Sequence, residues 1–219
     1  MTLVHAIILA IIEGLTEFLP ISSTAHMKIT DYLVGIPETP FRNLYEIIVQ
    51  LAAILAVVFL YWKKFFDFKN IRFYVKLIIA VIPALIFGAL LKKHIDSMLS
   101  NLAFIALVMI AGGVILLFTD KLFTKNKIDT DEKIDYLTSF KIGLFQVLSI
   151  LFPGLSRSAA TIIGGMSIGL NKRTAAEFSF FLAVPTMFAA TAKSTLDVIQ
   201  EGSVSFGSNE IIIMAVGCF

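Results

Sequence analysis

The sequence predicts an all-α integral membrane protein: a polytopic helical bundle of two inverted repeats, each a broken re-entrant helical hairpin plus about three spanning helices. Composition, long apolar stretches and two polar clusters that recur at a fixed offset carry this prediction. Apolar residues fill 58% of the 219 positions and charged residues only 16%. Mean hydropathy is +0.88, well outside the range of soluble domains. Residues 44–62, 75–91, 102–118, 178–192 and 211–219 form apolar stretches, read as spans against the roughly 20 residues that cross about 30 Å of hydrocarbon.

The first apolar run, residues 4–12, has no basic flank and no small-residue cleavage site, and it leads into Glu13 and Glu17. It therefore reads as part of the fold rather than as a signal peptide. Cys218 is the only cysteine, which excludes an internal disulfide or a thiolate metal cluster. The net charge is +2, and the basic residues gather in loops rather than in an aromatic-interleaved patch. Nucleic acid is therefore not an expected partner.

The polar clusters occupy residues 13–26, E-G-L-T-E-F-L-P-I-S-S-T-A-H, and residues 153–161, P-G-L-S-R-S-A-A-T. Aligning Pro20 with Pro153 sets an offset of 133 residues, which places Glu13 on Gln146, Phe18-Leu19-Pro20 on Leu151-Phe152-Pro153, and Ser23 on Ser156. In each copy a proline ends an apolar half-helix and a serine caps the helix that resumes. The same offset brings the Glu46 helix onto the Glu177 helix. The expected organisation is a single membrane domain over 1–219, with repeat 1 at about 1–125 and repeat 2 at about 136–219. Repeat 2 is expected to be C-terminally incomplete, a piece of a protein of roughly 250 to 270 residues. Three crossings per copy invert the second relative to the first. Lys63, Lys64, Lys69 and Arg72 lie in one loop, and Lys121, Lys125, Lys127 and Lys133 in the loop two crossings later. Both are expected on the cytoplasmic side, against the counter-signal of Lys92, Lys93 and Lys193.

Ionisable groups inside a bilayer cost a few kcal/mol or more each, so the clusters mark a path or a reaction centre. Glu13 and Glu17 are spaced to share one helix face, where they hold a divalent cation or position a base. A protonated pair bonded to neighbouring helices is the structural alternative. Ser23 and His26 are spaced for an imidazole to reach a hydroxyl, as a nucleophile and its base. Otherwise Ser22 and Ser23 are N-caps and His26 a packing residue. His5 and His94 read as surface or interfacial. Arg157, flanked by Ser156 and Ser158 with Thr161 one turn on, builds an anion cradle at a helix N-terminus that suits phosphate. The alternative is a plain ion pair with Glu13 or Glu17. Together these groups support attack on phosphorus in a phosphorylated lipid.

The same residues carry a family resemblance. Residues 13–20, Ser22-Ser23-Thr24, His26-Met27, residues 153–158 and Thr161 resemble the bacterial undecaprenyl-diphosphate phosphatase family, also called the bacitracin-resistance protein BacA family. The likeness extends through Glu46, Gln50, residues 82–84, 164–166 and 177–180. It implies hydrolysis of undecaprenyl diphosphate to the monophosphate and inorganic phosphate, recycling the lipid carrier for cell-wall synthesis. By the resemblance, Ser23 is the nucleophile, with His26 as the other candidate. His26 is the acid-base partner, and Glu17 orients or shares that role. Glu13 and Glu17 hold a divalent cation, Mg2+ or Ca2+. Arg157, with Ser22, Ser156, Ser158 and Thr161, binds phosphate. The implied setting is the bacterial inner membrane, with the site open to the extracytoplasmic side, a polyprenyl diphosphate lipid as substrate and a homodimer as an admissible assembly. Ala25 stands where the family usually has glycine, so this turn is expected to be helical rather than left-handed.

Two other classes compete. A polyprenyl-phosphate flippase would use the same anion site without a nucleophile. A second class of membrane lipid phosphatase needs a histidine after its serine-arginine motif, and none follows Arg157. An intramembrane serine protease would leave the arginine cradle without a role.

Overall fold

The computed structural model describes residues 1–124, 127–202 and 207–219, apart from the side chains of Lys92, Lys93, His94 and Asp96. Lys125 and those side chains therefore lie outside the described residues. The described residues form α-helices joined by short connections: α1 Leu3–Thr16, α2 Ser23–Val34, α3 Pro40–Leu60, α4 Trp62–Phe65, α5 Ile71–Leu90, α6 Lys92–Leu99, α7 Leu102–Leu122, α8 Tyr136–Leu151, α9 Arg157–Ile168, α10 Lys172–Glu201 and α11 Ser208–Cys218. Four of these, α3, α5, α7 and α10, are long and apolar enough to cross a membrane.

The starts and breaks follow local chemistry. Thr2 caps α1 in a reciprocal box with His5, and Asp135 caps α8 by accepting from Thr138 N. Thr39 caps α3, whose first residue is Pro40; there the missing N–H costs nothing. The α1–α2 and α8–α9 breaks fall at Pro20 and Pro153, and the next helices are capped by Ser22 and Ser156, whose hydroxyls accept from Ala25 N and Ala159 N. Ala25 is buried within α2, and the left-handed residue of this turn is Ser22, with φ of 66°. The positive φ thus precedes the helix, leaving Ala25 in an ordinary helical conformation.

Paired elements repeat with the spacing read from the sequence. α1, α2, α3 and α5 begin about 133 residues before α8, α9, α10 and α11. The packing exchanges accordingly: α5 lies along α8 as α11 lies along α1, α10 meets α5 as α3 meets α11, and α3 and α10 meet each other. α10 runs well beyond the apolar stretch at 178–192, because Lys193 and Asp197 pair one turn apart at 2.9 Å on its polar end. Helix association inside lipid relies on close packing more than on hydrophobic burial. Gly143 of α8 fits that demand by lying directly against the Ala80 backbone of α5.

The basic loops meet at one end of the bundle. Lys64 pairs with Asp131 at 2.7 Å, while the buried Lys76 donates to the Asp131 and Glu132 carbonyls at 2.7 and 3.2 Å. Beneath them Phe181 packs edge-to-face with Tyr61, Phe65 and Phe73 at 5.0, 5.8 and 5.4 Å between centroids. α6 lies between α5 and α7, at the ends of those helices away from the basic loops.

Candidate active site

The two hairpin turns meet. Ser158 Oγ donates to the Leu19 carbonyl at 3.2 Å, so the second turn is tied directly to the backbone of the first. Glu17 then joins the two polar clusters. Its Oε2 accepts from Ser23 Oγ at 2.5 Å, and its Oε1 accepts from Arg157 Nη2 at 2.5 Å. All three groups are at least largely buried; the Arg157 side chain, 16% exposed, is the most open. They border a cavity of about 340 Å³ together with Ser22, Thr24, Gln50, Ser156 and Ser158. Gln50 of α3 donates to Thr24 Oγ1 at 3.0 Å and so fixes the first turn of α2.

Helix starts explain the cradle. Arg157 is the first residue of α9 and Ser156 its N-cap, so free N–H groups and the positive end of the helix dipole accompany the guanidinium. Arg157 Nη1 also reaches the Ser179 carbonyl at 3.5 Å. Thr161 bonds the Arg157 carbonyl at 2.9 Å and Ser179 Oγ at 2.7 Å. Its hydroxyl braces the helix that carries Arg157, behind the residues that line the cavity.

The partner of Ser23 differs from the one its spacing suggests. His26 Nδ1 lies 2.8 Å from the Ser22 carbonyl, one turn back on the same helix. A carbonyl only accepts, so Nδ1 is the donor in this contact. His26 borders a second cavity, of about 240 Å³, on the α7 side of the turns, with Met109, Gly112 and Gly113. Ser23 is therefore bonded to Glu17 instead of His26. Residues three apart share a helix face, but Ser23 stands at the first position of α2, where its hydroxyl turns back toward the loop that holds Glu17.

Glu13 lies behind Glu17. Both its carboxylate oxygens are buried and without a hydrogen-bond partner among the described residues. Glu17 is its foremost charged neighbour, with Ser23 and Glu46 also close. It borders an apolar cavity between α1, α3 and α11 rather than the one holding Arg157. Among the described residues no three His, Cys, Asp or Glu side chains converge as a metal cage. Glu13 and Glu17 are neighbouring carboxylates, one of them unsatisfied among the described residues, and so offer the oxygen-donor chemistry that Mg2+ and Ca2+ take.

Sequence reasoning missed a second buried charge group. Arg42 of α3, 1% exposed, pairs with Asp31 of α2 and with Glu46 one turn along its own helix. Arg42, Glu46 and Gln50 recur every four residues, a polar stripe on a spanning helix that faces the first hairpin. That periodicity was the signal available in the sequence.

Comparison with known proteins identifies the family of the chain. Residues 6–219 match the family described as bacitracin resistance protein BacA. The chain belongs to the BacA family. It is 48% identical to an undecaprenyl-diphosphatase of Flavobacterium johnsoniae, over 99% of this chain and 81% of the relative. It is 44% identical to undecaprenyl-diphosphatases of Porphyromonas gingivalis, over 99% of this chain and 82% of the relative, and of Bdellovibrio bacteriovorus, over 100% and 81%. Both hairpins of the BacA chain, with every residue of the Ser23–Glu17–Arg157 bridge, fall inside the matched region.

Proposed function

We propose that this BacA-family chain hydrolyses undecaprenyl diphosphate to undecaprenyl phosphate and inorganic phosphate, in the bacterial cytoplasmic membrane. The observation that carries the reading is the Glu17 bridge: one carboxylate holds a serine hydroxyl and an arginine at the rim of a single cavity. Ser23 Oγ attacks the terminal phosphorus while Glu17 takes the hydroxyl proton. The bond from that phosphorus to the bridging oxygen breaks, and the lipid monophosphate leaves with the electron pair. Water then attacks the phosphoserine, releasing inorganic phosphate and returning the proton to Ser23. Arg157 and the α9 N-terminus meet the charge on the phosphoryl oxygens throughout. Glu13 and Glu17 would hold a divalent cation, which when bound neutralises phosphate charge. His26, bonded to Ser22, orders the turn that presents Ser23.

The two basic loops at one end support a cytoplasmic assignment for that end. α6 borders the cavity from the opposite end, which supports opening to the extracytoplasmic side. A translocase would need the arginine cradle but gives no reason for a carboxylate on Ser23.

Phosphate release from a polyprenyl diphosphate in detergent, with and without EDTA, tests the reading on parent, Ser23→Ala and Arg157→Ala proteins. The expected result is EDTA-sensitive release by the parent, lost in both variants. Full activity of Ser23→Ala would transfer the nucleophile's role to His26, and no release from the parent would overturn the hydrolase reading.

A further inference from the structure

The cavity at the Glu17 bridge has two unlike halves. Glu17, Ser23, Gln50, Ser156 and Arg157 form the polar half, and Ile95, Leu99, Ile150, Met187 and Ala190 line the rest with Gly88. Ile95 and Leu99 are one turn apart on α6 and so share a face.

We propose that Ile95 and Leu99 of α6 are specificity-determining residues that seat the first isoprene units of the lipid, opposite Met187 and Ala190. This rests on the phosphatase reading and names how that site recognises its substrate. The argument is one of continuity: an apolar wall adjoining a phosphate cradle fits a substrate whose hydrocarbon is joined directly to its diphosphate. A nucleoside or sugar diphosphate would place hydroxyls against Ile95 and Leu99, and a glycerolipid would place ester carbonyls there. Either would leave polar groups desolvated without partners. α6 thus excludes phosphates that the arginine cradle alone would accept.

The test uses the full chain with its exposed cysteine removed, Cys218→Ser, carrying Ile95→Cys or Leu99→Cys, with Leu107→Cys on the exposed face of α7 as a control. Maleimide labelling is followed in detergent with polyprenyl monophosphate, inorganic phosphate or a phosphatidic acid. The expected result is at least tenfold slower labelling at 95 and 99 with the prenyl phosphate, less than twofold change with the other two, and no protection at 107. Alongside it, Ile95→Ser/Leu99→Ser should raise KM for polyprenyl diphosphate about tenfold or more with little change in kcat, the mark of lost uniform binding. Phosphate release by the parent without protection at 95 and 99 would overturn the seat. Protection without release by the parent would keep the seat and overturn the hydrolase reading. Equal protection by phosphatidic acid would overturn the prenyl specificity.

Discussion

The α1–α2 and α8–α9 hairpins share a backbone plan and differ in charge. At equivalent positions stand Glu13 and Gln146, both buried. Gln146 is satisfied within its own repeat, exchanging hydrogen bonds with Thr186 at 3.3 and 3.4 Å. Glu13 has no such partner among the described residues. The first hairpin holds Glu13, Glu17 and Ser23, and the second holds Arg157. The charged groups of the Glu17 bridge are thus split between the two hairpins.

Removing the group that joins the halves should have the largest effect. Glu17→Gln keeps the shape but loses both the proton acceptor for Ser23 and the anionic partner of Arg157. Activity should fall roughly 10³-fold or more, with the folded fraction in detergent unchanged. The equivalent position of the second hairpin is Ile150, an uncharged residue of the cavity wall, and Ile150→Leu should change activity far less than Glu17→Gln. Comparable losses in both variants would end the case for divided roles.

Next in size is the Arg42 network, which exists only in the first half: the offset places Ala175 opposite Arg42 and Ser179 opposite Glu46. Arg42→Met strands Asp31 and Glu46 as buried charges and should destabilise the protein by about 3–5 kcal/mol. The triple change Arg42→Met/Asp31→Leu/Glu46→Leu should recover most of that. Thermal unfolding in one detergent compares the set. A single variant as stable as the parent would show that this group contributes nothing to holding α2 on α3.

Much of this was legible before the structure. Proline breaks, serine caps and the offset located both hairpins, because these are local backbone effects written in single residues. The partners of the site residues were less so. Ser23 and His26 had the right spacing, yet the bond went to Glu17, since where a hydroxyl points at a helix start depends on the preceding turn. α6 was invisible as an apolar stretch because it is short and polar in composition, and its role on the cavity wall arises from tertiary placement alone. Arg42 showed no local motif, although the four-residue period through Glu46 and Gln50 was present.

The turns themselves give a smaller contrast. Gly154 has φ of 104°, and a Cβ there would lie 2.6 Å from the Ile105 carbonyl oxygen of α7. Gly154→Ala should therefore cost about 2 kcal/mol and loosen α7. In the first hairpin Ala25 is helical, so Ala25→Gly should cost only about 0.5–1 kcal/mol. Tm differences in the reverse order would show that strain is stored in the first turn rather than the second.

The smallest effect separates the two helix starts. Thr2 caps α1 and Asp135, its equivalent 133 positions on, caps α8. A hydroxyl cap is neutral at every accessible pH. The Asp135 carboxyl is held below the usual aspartate range by the hydrogen bond from Thr138, a loop position outside the spanning segments. A depressed folded value means that the stabilisation is fully present above the ordinary aspartate value and is lost as pH falls through the lower, folded one. Asp135→Ala should cost about 1 kcal/mol at neutral pH, and the difference from the parent should shrink on acidification through that window. Thr2→Ala should cost a similar or smaller amount with no such pH dependence. Tm measured for both variants across the acid range makes the comparison. A constant Asp135→Ala difference down to the lowest pH would mean that the cap acts through its shape and not through its charge.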